Sequence, residues 1–341
     1  MELGLFDIMQ VDPTDQRSHG EVYRQRLRDI ALAEELGFDS YFVSELHFTS
    51  NFRSPAASVW LAAASQITSR MRLGVMAYTL PIKAPAQLAE DIAVLDWLSS
   101  GRIEVGLGLG HRTEELEALG IDPAERVPVF QERAAVLQAL WTGGQVTVDS
   151  ATTTIKGASM APVPLQQPNP PLWYAGSDTD AAAWVGSIGF SLALGFRKTE
   201  ELRPAASAFK AAVDARTKAE PARVLPGEGR LALMRQVYVA ESDDAALEEM
   251  SDDIFKLFLQ NGGPDRPIPP RDEARRVVDR LIADDIFVAG SPQSIVEQIE
   301  TLRSDLGIDV FLANVYANGL DQERIDRTLR LLATEVKPRL A

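Results

Sequence analysis

The sequence predicts an α/β fold, and specifically a closed (β/α)8 TIM barrel with insertions. Short apolar stretches alternate with amphipathic helical stretches along nearly the whole chain, a pattern typical of βαβ units around a parallel sheet. The alternation gives eight predicted strands, whereas a doubly wound sheet usually stops at about five or six. The length of 341 residues also suits one barrel of this kind.

Each predicted strand is a short apolar stretch, and each is followed by apolar residues at helical spacing. Glycines close the helices that end near Gly37 and Gly101, as expected for helix C-termini. The predicted strands are 2–8, 40–46, 71–80, 102–110, 171–177, 190–196, 230–240 and 309–315. The predicted helices are 23–38, 55–68, 85–101, 127–144, 180–188, 200–218, 242–259, 274–283, 292–304 and 321–338.

Two stretches interrupt the alternation. Residues 145–171 begin with β-branched alternation and continue into the proline-rich PVPLQQPNPP, so they predict a small hairpin followed by a loop. Residues 258–274 predict an irregular segment, which is either a lid over a site or a tolerated surface insertion. We therefore interpret residues 1–341 as a single barrel domain with insertions near 145–171 and 258–274.

The composition excludes several classes of function. A net charge of −15 and a pI of about 4.8 argue against nucleic acid or anionic membrane as a partner. The absence of cysteine excludes disulfides, thiolate metal sites and cysteine nucleophiles, and it fits a cytoplasmic location. No metal site is predicted. The N-terminal MELGLFDIMQ is too short and too acidic for a signal peptide, and no stretch has membrane-spanning length.

The segment SELHF, residues 44–48, follows a predicted strand and carries one of only three histidines. In a (β/α)8 barrel, functional residues lie at the C-terminal ends of the strands. Glu45 and His47 are therefore either a polar cap on a buried strand or one wall of an active site. Histidine suits proton transfer near neutral pH.

The sequences at two further strand ends are candidates for a ligand-binding site. AGSDTDAAAW, 175–184, places small and hydroxyl residues just before a helix. The free N–H groups of a first helical turn bind phosphate, with Ser177 and Thr179 as added donors, although a plain N-cap is the alternative. Arg112 or Arg126 would supply positive charge. GLGLGHR, 106–112, lacks a dinucleotide fingerprint and indicates either tight packing or close approach to a planar or phosphorylated ligand.

Taken together, these segments resemble the bacterial luciferase-like flavin-dependent monooxygenases over nearly the whole chain. SELHF is similar to the acid-histidine-histidine-phenylalanine stretch of that family. The block LGVMAYTLPIKAPAQLAEDIAVLDWLSSGRIEVGLGLG resembles the family's third and fourth strands. PLWYAGSDTDAAAWVGSIG resembles the segment that holds the flavin phosphate, and VAGSPQSIVEQIETL is also similar.

The resemblance implies a homodimer of barrels, or a heterodimer, that binds reduced flavin mononucleotide (FMN). It implies a non-proline cis peptide at Met76–Ala77 beneath the flavin ring. The other cofactor-binding residues that it implies are Gly108, Arg112, Arg126, Gly176, Ser177, Thr179 and Phe196.

Three positions depart from the luciferase pattern. The first histidine of the luciferase pair is Leu46 here, the reactive cysteine position is Gly108, and a phosphate-binding arginine position is Leu109. These departures argue against light emission and favour a monooxygenase with another substrate.

The mechanism implied by the resemblance starts with reduced FMN and O2, which form a flavin C4a-hydroperoxide. His47 would hydrogen-bond the flavin peroxide or move a proton. Glu45 would orient His47 or only cap the strand. Leu46, Phe48 and Tyr78 are predicted to line the substrate pocket, and mostly apolar walls indicate a small hydrophobic organic substrate. No nicotinamide fingerprint is present, so a separate reductase would supply reduced FMN.

Two other functions stay open at this point. One is hydride transfer with a reduced deazaflavin, as in sister members of the superfamily. That cofactor has a longer acidic tail, which would need more basic residues than the sequence clearly supplies. The other is a flavin-binding homologue without catalysis, a possibility raised by Leu46 and Leu109.

Overall fold

The computed structural model describes residues 1–11, 15–220, 227–261, 268, 270–316 and 321–340, with 256–261 described by backbone only. Eight parallel strands within these residues close into a barrel in the order β1-β2-β3-β4-β7-β8-β9-β11, with β11 paired to β1 and β8 to β9. The predicted closed barrel is therefore confirmed. The barrel strands are β1 (Glu2–Asp7), β2 (Ser40–Val43), β3 (Arg72–Thr79), β4 (Ile103–Gly108), β7 (Leu172–Ala175), β8 (Ser191–Leu194), β9 (Leu231–Val239) and β11 (Val310–Asn314).

Helices surround the barrel, and local sequence signals set their ends. The first helix begins with a capping box, in which Ser18 and Glu21 bond each other's backbone, and it ends at Gly37 in the left-handed conformation. The helices are α1 (His19–Leu36), α2 (Ala57–Ser65), α3 (Pro85–Leu98), α4 (Thr113–Ala118), α5 (Arg126–Trp141), α6 (Thr179–Ser187), α7 (Thr199–Ala219), α8 (Asp243–Asn261), α9 (Arg271–Ala283), α10 (Pro292–Leu306) and α11 (Gln322–Leu331). No helix in the described parts of the chain has both the length and the apolar character needed to cross a membrane.

Two cores follow from the alternation of side chains along each strand. The larger core lies between strands and helices, and the smaller one fills the barrel. The floor of the barrel holds a buried acid, Glu104, which pairs with Arg72 and with Arg230 at 2.7 Å and accepts from the indole N–H of Trp173. Because this end is filled, a ligand can enter only at the C-terminal ends of the strands.

Two elements were missed by the sequence prediction. The strand β10 (Phe287–Gly290) pairs with Gln236–Val239, the part of β9 beyond the barrel wall. It is only four residues long and lies between two helical patterns, so its sequence carries little strand signal. The one-and-a-half-turn helix α4 was also missed, because six residues are too few to show a helical period.

The two predicted insertions had different outcomes. Residues 145–171 do contain an antiparallel hairpin, formed by β5 (Val146–Asp149) and β6 (Thr154–Ala158). The predicted bounds of the irregular segment 258–274 were wrong at both ends. Residues 258–261 continue α8, and residues 271–274 begin α9. Neither of these two ends contains a proline or a glycine, so nothing in their sequence interrupts the helices. Residues 262–267 and 269, on which the lid hypothesis rests, lie outside the described residues.

One buried carboxylate gives a pH-dependent stability prediction. Glu34 accepts hydrogen bonds from the backbone N–H groups of Ser69, Arg70 and Met71. Burial alone would raise its pKa, but these donors lower it to about 2. Because the folded-state pKa lies below the unfolded one, the carboxylate stabilises the fold above pH 4.5, and this contribution is lost as the pH falls towards 2.

We expect Glu34→Gln to lower the free energy of unfolding by on the order of 2 kcal/mol at pH 7, once solvent screening is allowed for. The difference from the wild type should shrink as the pH approaches 2. Urea unfolding at several pH values measures both quantities. An equal difference at pH 7 and at pH 2.5 would show that the hydrogen-bonded carboxylate is not its source.

Candidate functional site

A large cleft opens at the C-terminal ends of the barrel strands, where the sequence predicted function. Its volume is about 880 Å³, within the range of small-molecule and cofactor sites. Residues from the ends of seven strands and from the loops that follow form its walls. They are Phe6, Ile8, Ser44, Glu45, Leu46, Thr49, Phe52, Met76, Ala77, Thr79, Gly108, Leu109, Gly110, His111, Arg112, Glu115, Arg126, Tyr174, Ala175, Gly176, Ser177, Phe196, Arg197 and Met234.

The floor and one wall of the cleft are apolar. The rings of Phe6 and Phe196 lie 6.1 Å apart at an angle of 34°, beside Met234. The peptide bond between Met76 and Ala77 is cis, as the resemblance implied. Gly108 lies directly against this wall, since a Cβ added there would be in van der Waals contact with the Cβ of Ala77, at 3.4 Å.

One end of the cleft offers hydrogen-bond donors to an anion. Ser177 lines the cleft immediately before α6, whose N-cap is Asp178, with its carboxylate accepting from Ala181 N–H at 2.9 Å. Arg126 also lines the cleft and donates to the carbonyl of Gly110 at 3.4 Å. In the described residues, no carboxylate lies within ion-pair distance of this guanidinium. The arginine side chain therefore has charge to offer a ligand.

The charged side chains at this end of the cleft change the pKa of the neighbouring Tyr174. The pKa of Tyr174 is raised to about 12, mainly by burial and also by Asp178, while Arg126 opposes this increase. Both charged side chains therefore lie close enough to act on the phenol. The backbone N–H of Gly176 is already taken by the carbonyl of Ala193 at 3.2 Å. This corrects the expectation that the Gly176 amide is available to a phosphate, because strand pairing extends one residue beyond β7.

A second group of charges lies at the end of β2. Glu45 is buried, and its Oε2 accepts from Lys83 Nζ at 2.9 Å. Its Oε1 lies 3.3 Å from Nε2 of His47. Glu45 thus contacts both side chains, and Lys83 offsets the charge of a carboxylate that burial would otherwise disfavour. Lys83 was missed by the sequence analysis, because it lies in the turn after β3 and meets Glu45 only in the closed barrel.

The helix α4 holds the backbone of His47. Arg112, just before this helix, donates to the carbonyl of His47 at 3.3 Å. Burial raises the pKa of the Glu115 carboxyl, whereas the nearby His47 and Arg112 lower it. Arg112 therefore lies on the β2 side of the cleft. Glu115 was missed because α4 was missed.

Three predicted site residues, Phe48, Tyr78 and Thr179, do not line the cleft, and neither does His47. Tyr78 is buried between the barrel and α2, where its hydroxyl lies 2.9 Å from that of Ser58, so its ring points away from the barrel interior. Phe48 is 67% exposed and packs only at the edge of His47, with ring centroids 6.1 Å apart. Thr179 begins α6 and is not among the residues that line the cleft.

The remaining predicted residues divide into two groups. Glu45, Leu46, Met76, Ala77, Gly108, Arg112, Arg126, Gly176, Ser177 and Phe196 all line the cleft. His47 lies behind Glu45 with a half-buried side chain. The missed aromatic and apolar residues, Phe6, Phe52, Tyr174 and Met234, carry no motif, and only the inward direction of each strand position could have identified them. Among the described residues, no cluster of His, Asp and Glu could hold a metal ion.

A parallel eight-stranded barrel whose open end combines an apolar wall, an anion-binding end and an acid–histidine pair is the architecture of a cofactor-binding barrel enzyme. The chain belongs to the luciferase-like monooxygenase family, whose model matches residues 1–309. The family consists of flavin-type oxidoreductases, and the resemblance seen in the sequence is confirmed.

Individual relatives include two kinds of enzyme. The chain is 27% identical over 326 residues to 4-hydroxyprotoasukamycin monooxygenase of Streptomyces nodosus subsp. asukaensis, covering 92% of this chain and 86% of that protein. It is 35% identical over 177 residues to F420-dependent glucose-6-phosphate dehydrogenase of Beutenbergia cavernae, covering 49% of this chain and 51% of that protein. The chain spans about half the length of several curated relatives that it matches, 56% in one case.

The fold itself recurs in solved structures. One is a type II Baeyer–Villiger monooxygenase, the oxygenating constituent of 3,6-diketocamphane monooxygenase from the CAM plasmid of Pseudomonas putida, in complex with FMN. It superposes with a TM-score of 0.83 at 20% identity, covering 100% of this chain and 99% of that chain. At this identity the likeness shows the barrel fold alone.

Proposed function

We propose that this protein is a monooxygenase that uses reduced FMN and O2 to oxygenate a hydrophobic organic substrate. The observation that carries the proposal is the combination, in one cleft, of the flat wall at Met76–Ala77 with the anion-binding end at Ser177 and Arg126. The family and an FMN-bound structural neighbour support it. Reduced flavin, when bound, supplies the electrons that activate O2.

The residues of the cleft fit FMN. Ser177 and the first N–H groups of α6 would hold the phosphate together with Arg126, because a helix N-terminus and a guanidinium both favour this anion. Met76, Ala77 and Phe196 would contact the isoalloxazine ring. Gly108 lines the same part of the cleft as Ala77.

The proposed roles of the chain's own residues are separate from those of the cofactor. Phe6, Leu46 and Phe196 would exclude water from the reacting centre. His47 would hold or move a proton at Nε2, and Glu45 would orient that imidazole through Oε1. Lys83 donates to Oε2 of Glu45, which leaves Oε1 to accept from the imidazole.

Arg126 provides a direct test of cofactor binding. We expect Arg126→Met to weaken FMN binding by about 10- to 100-fold, since a hydrogen bond to a charged group contributes about 1.5–3 kcal/mol. Riboflavin lacks the phosphate, so its affinity should stay within about twofold of the wild type. Flavin fluorescence titration measures both. Equal losses for the two flavins would place Arg126 elsewhere than at the phosphate.

A second candidate is hydride transfer with a reduced deazaflavin, F420. It is favoured by the 35% identity to an F420-dependent dehydrogenase over half of the chain. Titration with FMN and with F420 in parallel separates the two candidates. Binding of F420 with no measurable binding of FMN would overturn the monooxygenase proposal. A protein that binds FMN, yet whose reduced flavin reacts with O2 no differently from free reduced FMN, would instead be a non-catalytic homologue.

We also propose that the chain is a homodimer and receives reduced FMN from a separate reductase. Large apolar side chains are exposed on α2 and α3, namely Val59 (72%), Val94 (47%), Trp97 (52%) and Leu98 (47%). Such a patch is typical of an interface. We expect Val59→Asp to shift the protein towards monomer in sedimentation equilibrium. Val127→Asp, at a residue that is 44% exposed on α5, is the matched control and should not.

A further inference from the structure

A short turn carries Phe196 into the cleft. It follows β8, which ends at Leu194, while the neighbouring β9 is longer. Beyond Leu194, the backbone N–H of Arg197 donates to the carbonyl of Gly195 at 2.9 Å, which closes a three-residue turn. The ring of Phe196, at the centre of this turn, lies 6.1 Å from that of Phe6 and lines the cleft. The place of this ring in the cleft therefore depends on the turn.

Arg235 on β9 holds the turn from behind. Its neighbour Met234 fills the barrel interior, so Arg235 faces the surrounding helices, because side chains alternate along a strand. Its Nη1 donates to the carbonyl of Gly195 at 2.8 Å, and its Nη2 donates to the carbonyl of Arg197 at 3.0 Å. The planar guanidinium thus binds the carbonyls on both sides of Phe196 at once.

The burial of this guanidinium is unfavourable for stability. Arg235 has no exposed surface, and within the described part of the chain it forms no ion pair. Its pKa is lowered to about 10, mainly by burial, while Asp285 opposes this decrease. An apolar side chain of similar size often stabilises a protein more than a buried charge does. Unfavourable local features of this kind are expected at functional sites.

The acceptors of Arg235 show what the buried charge is used for. Besides the two carbonyls of the turn, Nη1 donates to the carbonyl of Met234 at 3.1 Å. Met234, Phe196 and Arg197 all line the cleft. The hydrogen bonds of Arg235 thus fix the backbone directly behind one wall of the cleft.

We propose that Arg235 is a positioning residue of the cofactor site, which fixes the turn 195–197 so that the ring of Phe196 contacts the flavin. This inference rests on the proposed function, which assigns Phe196 to the isoalloxazine ring. Arg235 does not line the cleft itself, so it acts through the turn. FMN and riboflavin have the same ring, so both should depend on Arg235 equally, whereas Arg126 should affect FMN alone.

The test is a double-mutant cycle, with the affinities for riboflavin and FMN measured by flavin fluorescence titration. Phe196→Leu removes the aromatic ring, and Arg235→Met removes the guanidinium. We expect each variant to bind both flavins about 3- to 10-fold more weakly, the effect of one aromatic contact. The double variant should lose no more than Phe196→Leu alone, because both changes remove the same contact.

Arg235→Lys is a second variant at the same position. It keeps the charge, but one ammonium group cannot reproduce the fork of the guanidinium, so both flavins should again bind more weakly. It replaces Arg235→Met in the cycle if that variant does not fold. Losses that add in the double variant would overturn the proposal. Unchanged flavin affinity in Phe196→Leu, or in the folded variants of Arg235, would overturn it as well.

Arg102→Met is the matched control. Arg102 precedes β4 at the filled end of the barrel and also donates to backbone carbonyls, among them Met71 at 2.9 Å and Thr68 at 3.0 Å. Its loss should lower the stability of the fold, yet flavin affinity should stay within about twofold, because the site is distant. A loss of flavin affinity equal to that of Arg235→Met would trace the effect to stability and overturn the positioning role.

The two proposals fail in different ways. If the wild type binds neither FMN nor riboflavin, the proposed function fails at the cofactor titration. If both flavins bind but the losses at Arg235 and Phe196 add, only the positioning role fails.

Discussion

His47→Gln should lower the rate of substrate oxygenation by about 100-fold or more, because a positioned acid–base group contributes about 10²- to 10⁴-fold. Glutamine keeps hydrogen-bonding capacity near Glu45 but cannot carry a proton at neutral pH. The affinity for FMN should stay within about twofold, since His47 lies on the β2 side of the cleft and the anion-binding end lies at β7.

The measurement is product formed per O2 consumed, with reduced FMN supplied chemically and an organic substrate on which the wild type has been shown to be active. His19→Gln is the matched control, because His19 begins α1 and is exposed. Glu45→Gln should give a smaller loss if Glu45 only orients the imidazole. Full activity and full coupling in His47→Gln would remove His47 from the chemistry and leave it as a structural residue.

Glu104→Gln should give the largest loss of stability, about 3–5 kcal/mol, because breaking a buried ion pair leaves an uncompensated charge. The carboxylate is fully buried at the barrel floor, where Arg230 and Arg72 hold its pKa below the ordinary value although burial opposes them. That loss is a large share of the stability of a typical domain, about 5–15 kcal/mol. Urea unfolding at pH 7 measures it.

The pH dependence of this effect has a definite sign. Since the folded-state pKa of Glu104 is lowered, the difference between the wild type and Glu104→Gln should be full above pH 4.5 and shrink below it. Asp272→Asn is the control, because Asp272 and Arg276 form an exposed i,i+4 pair, which contributes less than about 1 kcal/mol. A loss at Glu104 no larger than that of the control would mean that the floor relaxes around the missing charge.

The predicted elements that the structure confirmed are those with strong local signals. The capping box at Ser18 and the glycine at Gly37 bound α1, and the apolar strands need only their own side chains to be recognised. The missed elements, α4 and β10, are short, and contacts with other parts of the chain stabilise them. β10 exists because β9 extends beyond the barrel and leaves an edge to pair with.

The same distinction between local sequence signals and tertiary contacts applies to the residues of the candidate site. Glu45, Ser177 and Arg126 were predicted because strand ends and helix starts can be located along the chain. Tyr78 was misplaced because the direction of a side chain at the end of a strand depends on how that strand meets its neighbours and α2.

The sequence by itself determined the barrel, its family and the edge where the cleft opens, since periodicity, capping and motif order are local properties of the chain. Only the tertiary structure decided which side chains meet across that edge. Lys83 reaches Glu45 from 38 residues away, and Phe196 after β8 lies beside Phe6 on β1. Closure of the sheet brings these groups together, and no local pattern of residues records that closure.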